Sequence, residues 1–527
     1  MTPFSKRIFE LSTKKQKVLN LLLQMDGFVP LEREKIPRRQ STDPIPLSFS
    51  QQRLWFMNQW ETNNPSYNLS YLVYFQGMLD VAALQRSFNE IIRRHEILRT
   101  TFTMVAGQAV QVVAASLSLN ISIINLQKLS KADKETETAR LANQEAHQPF
   151  DLVNGPLLRT TLLQLAEQEH ILLISVHHIV FDGWSRAVLI REMATLYEAF
   201  SAGNPSTLSE LCIQYADFAT WQREWLNGEI LQQQLSYWRE KLAGDLPVLA
   251  LPTDHPRPAL RTSQGARHFF SLPKDLAEAL KSFSAQQDAT LFMTLLAALK
   301  ALFYRYTGQE DILIGSPIAN RNWAEVEDLI GFFVNTIVLR TSGIGKMTFL
   351  ELVKKVQQTA LEAYAHQDLP FEKLLEELQP KRDLSRPPLF QVGFVLEKAP
   401  TQVVELPGLS LDICQIDSKT SKYDLMFLME ESKSDLKGFL EYNTDLFELE
   451  TITRLISHFQ TLLTAAVSNP EQHIAQIPML AAMERQQLLV EWNNTFVEYD
   501  NAICLHQLFE AQVRQTPDAV AVVFEQD

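Results

Sequence analysis

One segment constrains the fold of this chain more than any other: Ile171-Leu172-Leu173-Ile174-Ser175-Val176-His177-His178-Ile179-Val180-Phe181-Asp182-Gly183-Trp184-Ser185. An apolar, β-branched run of this length reads as a buried strand, and side chains alternate faces along a strand, so His177 and His178 are expected to point in opposite directions and to have different tasks. Asp182-Gly183 is a turn dipeptide, and glycine lets the backbone take a positive φ or approach a ligand closely, which places His178 at a strand end. Imidazole is the side chain whose unperturbed pKa lies near neutrality, and a carboxylate four residues on would fix the local geometry on which its tautomer depends. The residues alone leave two readings of the pair open, a satisfied core pair or a general-base or hydrogen-bonding catalyst. A zinc site is disfavoured because no further ligand cluster has the spacing.

At 527 residues the chain exceeds what one core needs, which implies two or more packed lobes with terminal extras. Apolar residues at 46% and charged residues at 21% match a soluble globular protein, with no low-complexity tract. The net charge of −14 argues against nucleic acid as a partner, since duplex affinity rests on clustered Lys and Arg. Cys212, Cys414 and Cys504 are widely separated and form no CxxC, so no disulfide framework or cysteine zinc site is expected, and a reducing cytoplasm fits. No stretch near the N-terminus is apolar enough for a signal peptide or a membrane span, so no membrane association is expected.

Ser12-Thr13 precedes a helical pattern from Lys14 to Met25, ended by Gly27 and Pro30, and prolines among charges make residues 30–46 an extended linker. Strand-like Tyr71–Phe75 and the amphipathic helix Val81–His95 open a mixed α/β pattern. A second pass from Phe269 runs through two helices ending near Tyr306 to a strand at Ile312–Gly315, which suggests two related lobes. After Pro478 the pattern changes to a linker, a helix Leu505–Gln515 and an apolar strand Ala519–Phe524. That strand has nothing after it to pair with, so the chain is expected to stop inside a further domain. The expected organisation is residues 1–46 as helix and linker, 47–222 as a first lobe, 223–478 as a second, and 479–527 as linker and the start of the next domain.

The string His177-His178-Ile179-Val180-Phe181-Asp182-Gly183 resembles the HHxxxDG signature of nonribosomal peptide synthetase condensation domains. It is joined, in that family's order, by Leu47–Phe56, Arg94–Phe102, Tyr215–Trp221, Ile330–Thr336 with Arg340, His366–Glu372 and Arg382–Leu389. The resemblance covers roughly residues 10 to 480, with Pro387 standing where the family often has Asn. The tail His506–Glu510 with Thr516–Ala521 looks like the opening of an adenylation domain.

This resemblance implies an α/β fold of two chloramphenicol-acetyltransferase-like lobes, a V-shaped pseudo-dimer with the active site in a tunnel between them. It implies an acyltransferase that forms a peptide bond, with an upstream donor carrier protein, a downstream acceptor carrier protein and an adjoining adenylation domain as partners. No cofactor is bound by the domain itself; both substrates arrive on 4'-phosphopantetheine arms. His178 is then expected to position the acceptor amine and accept its proton, and the main-chain N–H near Gly183 to serve a developing oxyanion. His177 is expected to be structural, and Asp182 to form a structural salt bridge with Arg321. Arg53, Trp55, Trp221, Phe332 and Phe371 read as packing and lobe-interface residues.

The wording of the blocks leans toward the subtype that joins two L-residues, a cyclising subtype is excluded by the intact histidines, and a starter subtype stays open. The rivals are an epimerisation domain of the same fold, which would follow a carrier rather than precede an adenylation start, and a non-catalytic recruitment or docking module. A plant-type acyltransferase using coenzyme A would need a DFGWG element that this chain lacks.

Overall fold

The structure is a computed structural model that describes residues 35–40, 43–61, 64–381, 383–398, 403–406, 408–432, 435–498 and 503–524. The helix expected over residues 14–25, part of the linker after it, and Arg382 lie outside these. The described residues fall into two compact units, divided between Met479 and Leu480.

In the larger unit the first half of the chain gives β1 (Ile45–Pro46), α1 (Phe49–Trp60), β2 (Asn68–Gly77), α2 (Val81–Arg94), β3 (Thr100–Val105), β4 (Gln108–Val113), β5 (Ser122–Asn125), α3 (Lys131–His147), β6 (Leu158–Gln164), β7 (Glu169–His177), α4 (Gly183–Ser201) and α5 (Tyr215–Trp225). The second half gives α6 (Gly228–Lys241), β8 (Gly265–Leu272), α7 (Lys274–Gln286), α8 (Leu291–Thr307), β9 (Ile312–Ile318), β10 (Asn335–Thr341), α9 (Phe349–Ala365), α10 (Phe371–Leu378), β11 (Val392–Lys398), β12 (Val403–Leu406), β13 (Leu409–Gln415), β14 (Leu425–Glu431), β15 (Leu436–Asn443) and α11 (Leu449–Ser468). The larger unit holds two six-stranded mixed sheets, ordered β12-β13-β2-β7-β6-β5 in the first lobe and β10-β9-β11-β14-β15-β8 in the second.

The expected boundary at 222/223 is not a clean cut. β13 pairs antiparallel with β2, from Leu409 opposite Gly77 to Gln415 opposite Tyr71, so the second half of the chain supplies two strands of the first lobe's sheet. Trp323, Ile330, Phe332 and Phe333 likewise bury themselves in the first lobe's core. Sequence periodicity reports what each strand buries, not which sheet receives it.

β7 is buried from His170 to His177, as its apolar run requires, because both faces are covered. Leu172, Ile174 and Val176 join the core that holds Leu84, Phe88 and Ile91 of α2 and Val188 and Leu196 of α4. Ile171 and Leu173 meet Ala142 of α3 on the other face. Asp80 caps α2 by accepting from the Ala83 N–H, and α2 packs along α4.

The second lobe encloses the Lys300 side chain of α8 completely, and its amine donates to the Ile312 carbonyl at 3.0 Å and the Leu339 carbonyl at 2.7 Å. It ties α8 to β9 and β10.

In the smaller unit, α12 (Ala482–Gln486) leads into a wide π turn at Gln487–Glu491, and α13 (Leu505–Gln515) matches the expected helix. The strand expected at Ala519–Phe524 is absent: residues 520–524 form no ladder with any described strand, and β structure needs a partner for its backbone groups.

Burial pushes the Lys300 amine down to about 7. Between there and the ordinary lysine range near 10.4 the unfolded chain holds the extra proton, so folding stability rises with pH across that window and the penalty is full below it. Urea unfolding of the native protein and Lys300→Met from pH 7 to 10 is expected to show the native curve gaining on the variant, by at most about 1.4 kcal/mol per pH unit. Parallel curves would contradict this assignment.

Candidate active site between the lobes

β7 ends at His177, and the next three residues, His178–Val180, form a 3₁₀ turn closed by the Phe181 N–H on the His178 carbonyl at 3.2 Å. The two histidines thus stand on either side of a change in backbone direction, which separates them more fully than strand alternation alone.

His177 is 3% exposed, with Phe150 edge-on at 6.0 Å between ring centroids. The Ile179 N–H donates to its Nδ1 at 3.1 Å, so its proton is on Nε2. His178 is the reverse. Its Nδ1 lies 2.7 Å from the Phe181 carbonyl, an oxygen that can only accept, so Nδ1 carries the proton and Nε2 is left as a lone pair. The His178 ring keeps part of its surface open to solvent and leans edge-on against Phe332, 4.7 Å between centroids. Burial holds both imidazoles down to about 3; the cations Lys422 and Arg53 push His178 further the same way, and His178 and Lys422 do so for His177. Both rings are neutral at neutral pH.

Asp182 is fully buried and caps α4. Its Oδ1 accepts from the Ser185 N–H at 2.8 Å, the Ser185 hydroxyl at 2.7 Å and Arg321 Nη2 at 3.1 Å, and its Oδ2 from the Phe333 N–H at 3.1 Å. Arg321 is 6% exposed, donates also to the Leu329 carbonyl at 2.7 Å, and lies 4.1 Å from the Phe333 ring centroid. The expected Asp182–Arg321 pair is therefore present, and it joins the start of α4 to the segment that follows β9.

Gly183 differs from expectation. It is the first residue of α4, exposed, with φ outside the left-handed range. A Cβ there would meet only Glu397 Oε1 at 3.6 Å, ordinary contact, so the backbone does not demand glycine. Its N–H is one of the first-turn donors for which a helix offers no acceptor. The facing Glu397 carboxyl is raised by burial, against the pull of Arg186 at 3.9 Å.

Several of the blocks read from the sequence converge here, whereas Arg340 stands away from it, paired with Asp311 at 2.8 Å. Ile330–Val334 crosses to the first lobe, where the Ile330 N–H donates to His95 Nδ1 at 3.2 Å and the Gly331 N–H to Ser185 Oγ at 3.0 Å. The Tyr215 hydroxyl donates to the Phe332 carbonyl at 2.6 Å, and Ser50 Oγ to the Val334 carbonyl at 3.1 Å. Gly331 is required, since a Cβ would lie 2.1 Å from the Tyr215 ring. Asn335 donates to the Gln367 and Leu369 carbonyls at 2.8 and 2.7 Å and accepts from the Phe371 N–H at 2.9 Å. Gln51 donates to the Ile179 carbonyl at 3.1 Å, and Arg53 pairs with Glu372 at 3.5 Å between α1 and α10. Most of these residues hold backbone, and Phe332 meets the His178 ring.

A set of partly exposed polar residues on the second lobe's side of the site has no signature in the sequence and was missed there. Lys422, Tyr423, Glu441, Arg267 and Glu397 come from the second lobe, on β8, β11, β15 and the loop before β14. They are scattered along the chain, and none stands in a recognisable spacing; only the fold assembles them. Among the described residues no group of three or more His, Cys, Asp or Glu is placed to hold a metal, and no helix is long and apolar enough to cross a membrane.

With this geometry in place, comparison with known proteins is decisive for family. The family model for the condensation domain matches residues 41–489, and the chain belongs to that family. It is similar to two linear gramicidin synthase subunits of Brevibacillus parabrevis: one is 46% identical over 512 residues, covering 96% of this chain, and the other 50% identical over 481 residues, covering 91%. The chain spans only 6% and 9% of the lengths of those two relatives. Among solved structures, the X-domain in its complex with OxyB from teicoplanin biosynthesis superposes with a TM-score of 0.77 at 30% identity, covering 86% of this chain and 99% of that one. The four-domain nonribosomal peptide synthetase AB3403 shares the fold, with a TM-score of 0.75 at 21% identity over 87% of this chain and 35% of its own. The two-lobed α/β architecture is that of condensation domains.

Removing either partner of a buried ion pair strands the other charge. Asp182→Ala and Arg321→Leu are each expected to lower unfolding stability by about 3–5 kcal/mol in urea melts. A loss below about 1 kcal/mol would show that the pair does not carry the structural role assigned to it.

Proposed function

We propose that this chain forms a peptide bond in nonribosomal peptide synthesis, joining an upstream acyl or peptidyl thioester to the amine of a downstream aminoacyl thioester, both tethered to carrier proteins. The observation that carries the proposal is the His178 imidazole: neutral, partly open to solvent, its Nδ1 proton engaged by the Phe181 carbonyl and its Nε2 a free lone pair. The acceptor nitrogen attacks the donor carbonyl, the C–N bond forms, the C–S bond breaks, and the donor arm leaves as a thiol carrying the proton taken from the amine.

A neutral amine is already a competent nucleophile, so what it needs most is placement. Orientation supplies effective molarities of about 10⁵ to 10⁸ M, whereas a general base supplies about 10² to 10⁴ in rate. Nε2 of His178 accepts a hydrogen bond from the amine, which aims it, and takes its proton as the bond forms. The Gly183 N–H at the start of α4 is assigned to the developing oxyanion. Asp182 and Arg321 are assigned to fixing the turn that holds His178, and His177 to packing within the first lobe. The condensation of two L-residues is the subtype proposed, and residues 479–527 are proposed as linker and the opening of an adenylation domain.

A second reading draws on one observation: the teicoplanin X-domain, similar in fold at 30% identity, is seen in complex with OxyB, which makes a recruitment module the alternative. An intact double histidine with an open lone pair favours chemistry instead.

Condensation between loaded carriers separates the two. His178→Ala is expected to retain fold and lose about 10² to 10⁴ of rate, while His177→Ala loses melting temperature first. Full turnover by His178→Ala would refute the catalytic assignment, and unchanged stability with lost turnover in His177→Ala would overturn the division of labour.

A further inference from the structure

The first turn of α1 reaches both sides of the candidate site: the 3₁₀ turn His178–Val180 on one side, and the crossing segment that carries Phe332 on the other. Ser48 is the N-cap of α1 and forms a capping box with Gln51. The Gln51 N–H donates to Ser48 Oγ at 3.1 Å, and Gln51 Oε1 accepts from the Ser48 N–H at 3.1 Å. With its oxygen so engaged, Gln51 aims its amide nitrogen at the Ile179 carbonyl, 3.1 Å away. The other bonds named in that turn are local: the Phe181 N–H on the His178 carbonyl, and His178 Nδ1 on the Phe181 carbonyl. Gln51 reaches the turn from a different helix.

The Ser48 hydroxyl continues the path toward the opposite wall. It lies 2.8 Å from the Tyr215 hydroxyl, which lies 2.6 Å from the Phe332 carbonyl. A carbonyl can only accept, so Tyr215 donates to Phe332 and Ser48 donates to Tyr215, which leaves a lone pair of Ser48 Oγ for the Gln51 N–H. Every direction in this chain of bonds is thereby set. Ser48, Gln51 and Tyr215 are each 1% exposed or less, so the chain is closed to bulk water. The Tyr215 ring is itself packed, edge-on against Phe333 at 4.9 Å and beside Phe218 at 5.7 Å between centroids.

We propose, resting on the condensation reading above, that Gln51 and Tyr215 are positioning residues for His178, joined through Ser48 into one clamp. Gln51 holds the turn that carries the imidazole, Tyr215 holds the segment whose Phe332 ring leans on it, and the capping box fixes the two against each other. The Nδ1 bond to Phe181 sets the tautomer of His178; the clamp sets where its Nε2 points. Phe332 meets the imidazole edge-on at 4.7 Å, so a shift of either wall is passed to the ring. Misplacement by about 1 Å costs on the order of 10²-fold in rate where orientation is the larger lever. The clamp shares no atom with the Asp182 carboxylate, which holds the Phe333 amide and the start of α4.

The test reads two quantities in the full chain. The ¹³Cε1 resonance of His178 at neutral pH, assigned by its loss in His178→Gln, reports the surroundings of the imidazole. Single-turnover condensation between loaded carriers gives an amplitude, set by the folded fraction, and a rate constant, set by alignment. Tyr215→Phe and Gln51→Met keep the packing and remove the hydroxyl or the amide. Each is expected to shift the His178 resonance and to lower the rate constant about 10- to 100-fold at saturating carriers, with the amplitude kept. The double variant is expected to lose little more than the worse single one, as parts of one clamp do. An unmoved His178 resonance in either single variant overturns the inference, as does a native rate constant with only amplitude lost, which is what a purely structural contact gives. Losses that multiply in the double variant overturn the single clamp. Should Tyr215→Phe not fold, Gln51→Met decides by the same resonance. A native protein inactive with loaded carriers would sink the condensation reading instead, and the resonance reports on the clamp independently of it.

Discussion

The carboxylate of Asp182 is the point on which the site's geometry depends. It is fully buried and accepts from the Ser185 amide and hydroxyl, from Arg321 and from the Phe333 amide. Those donors belong to three stretches of chain: the first turn of α4, the loop after β9, and the segment that crosses between lobes. A charge in that place is tolerable only when every contact is made, so the three stretches have one mutual arrangement. The His178 turn lies directly before this carboxylate in sequence, and Phe332, next to Phe333, meets the His178 ring.

From that arrangement follows a difference between two neighbouring imidazoles. Each has one ring nitrogen engaged by backbone, but by groups of opposite character: an N–H for His177 and a carbonyl for His178. The tautomers are therefore opposite, and only His178 presents its lone pair toward space that solvent reaches. Burial, with the charges of Lys422 and Arg53 adding to it, keeps that lone pair unprotonated at neutral pH. Arg321 and Lys300 are buried for different ends: a joint between lobes, and a staple between helix and sheet.

Much of this was legible in the residues, and what was not has physical causes. The buried strand ending at the double histidine could be read because an unbroken apolar run needs cover on both faces, and α2, α4 and α3 provide it. The Asp182–Arg321 pair came from family resemblance, since 139 positions separate its members. The Asp-Gly pair at Gly183 offered either a positive φ or a close backbone approach to a ligand; the chain enters a helix there with Asp182 as cap, so the positive φ is not used. The strand exchange of β12 and β13 was invisible because alternation is the same whichever sheet accepts a strand. Lys422 and its neighbours were missed for a related reason: each is one polar residue in an unremarkable context, and proximity to His178 arises only from the return of the chain after β13. Leu505–Gln515 was correctly read as a helix, while Ala519–Phe524 shows that an apolar run is no strand without a partner.

The central claim is that this geometry transfers an acyl group between two tethered thioesters. Single-turnover mixing of the native chain with a donor-loaded upstream carrier and an aminoacyl-loaded downstream carrier, read by intact-protein mass spectrometry, tests it most directly. The downstream carrier is predicted to gain the mass of the donor acyl group as the upstream carrier reverts to its free-thiol form. Carriers that keep their original masses, with both loaded and the protein folded, would contradict it.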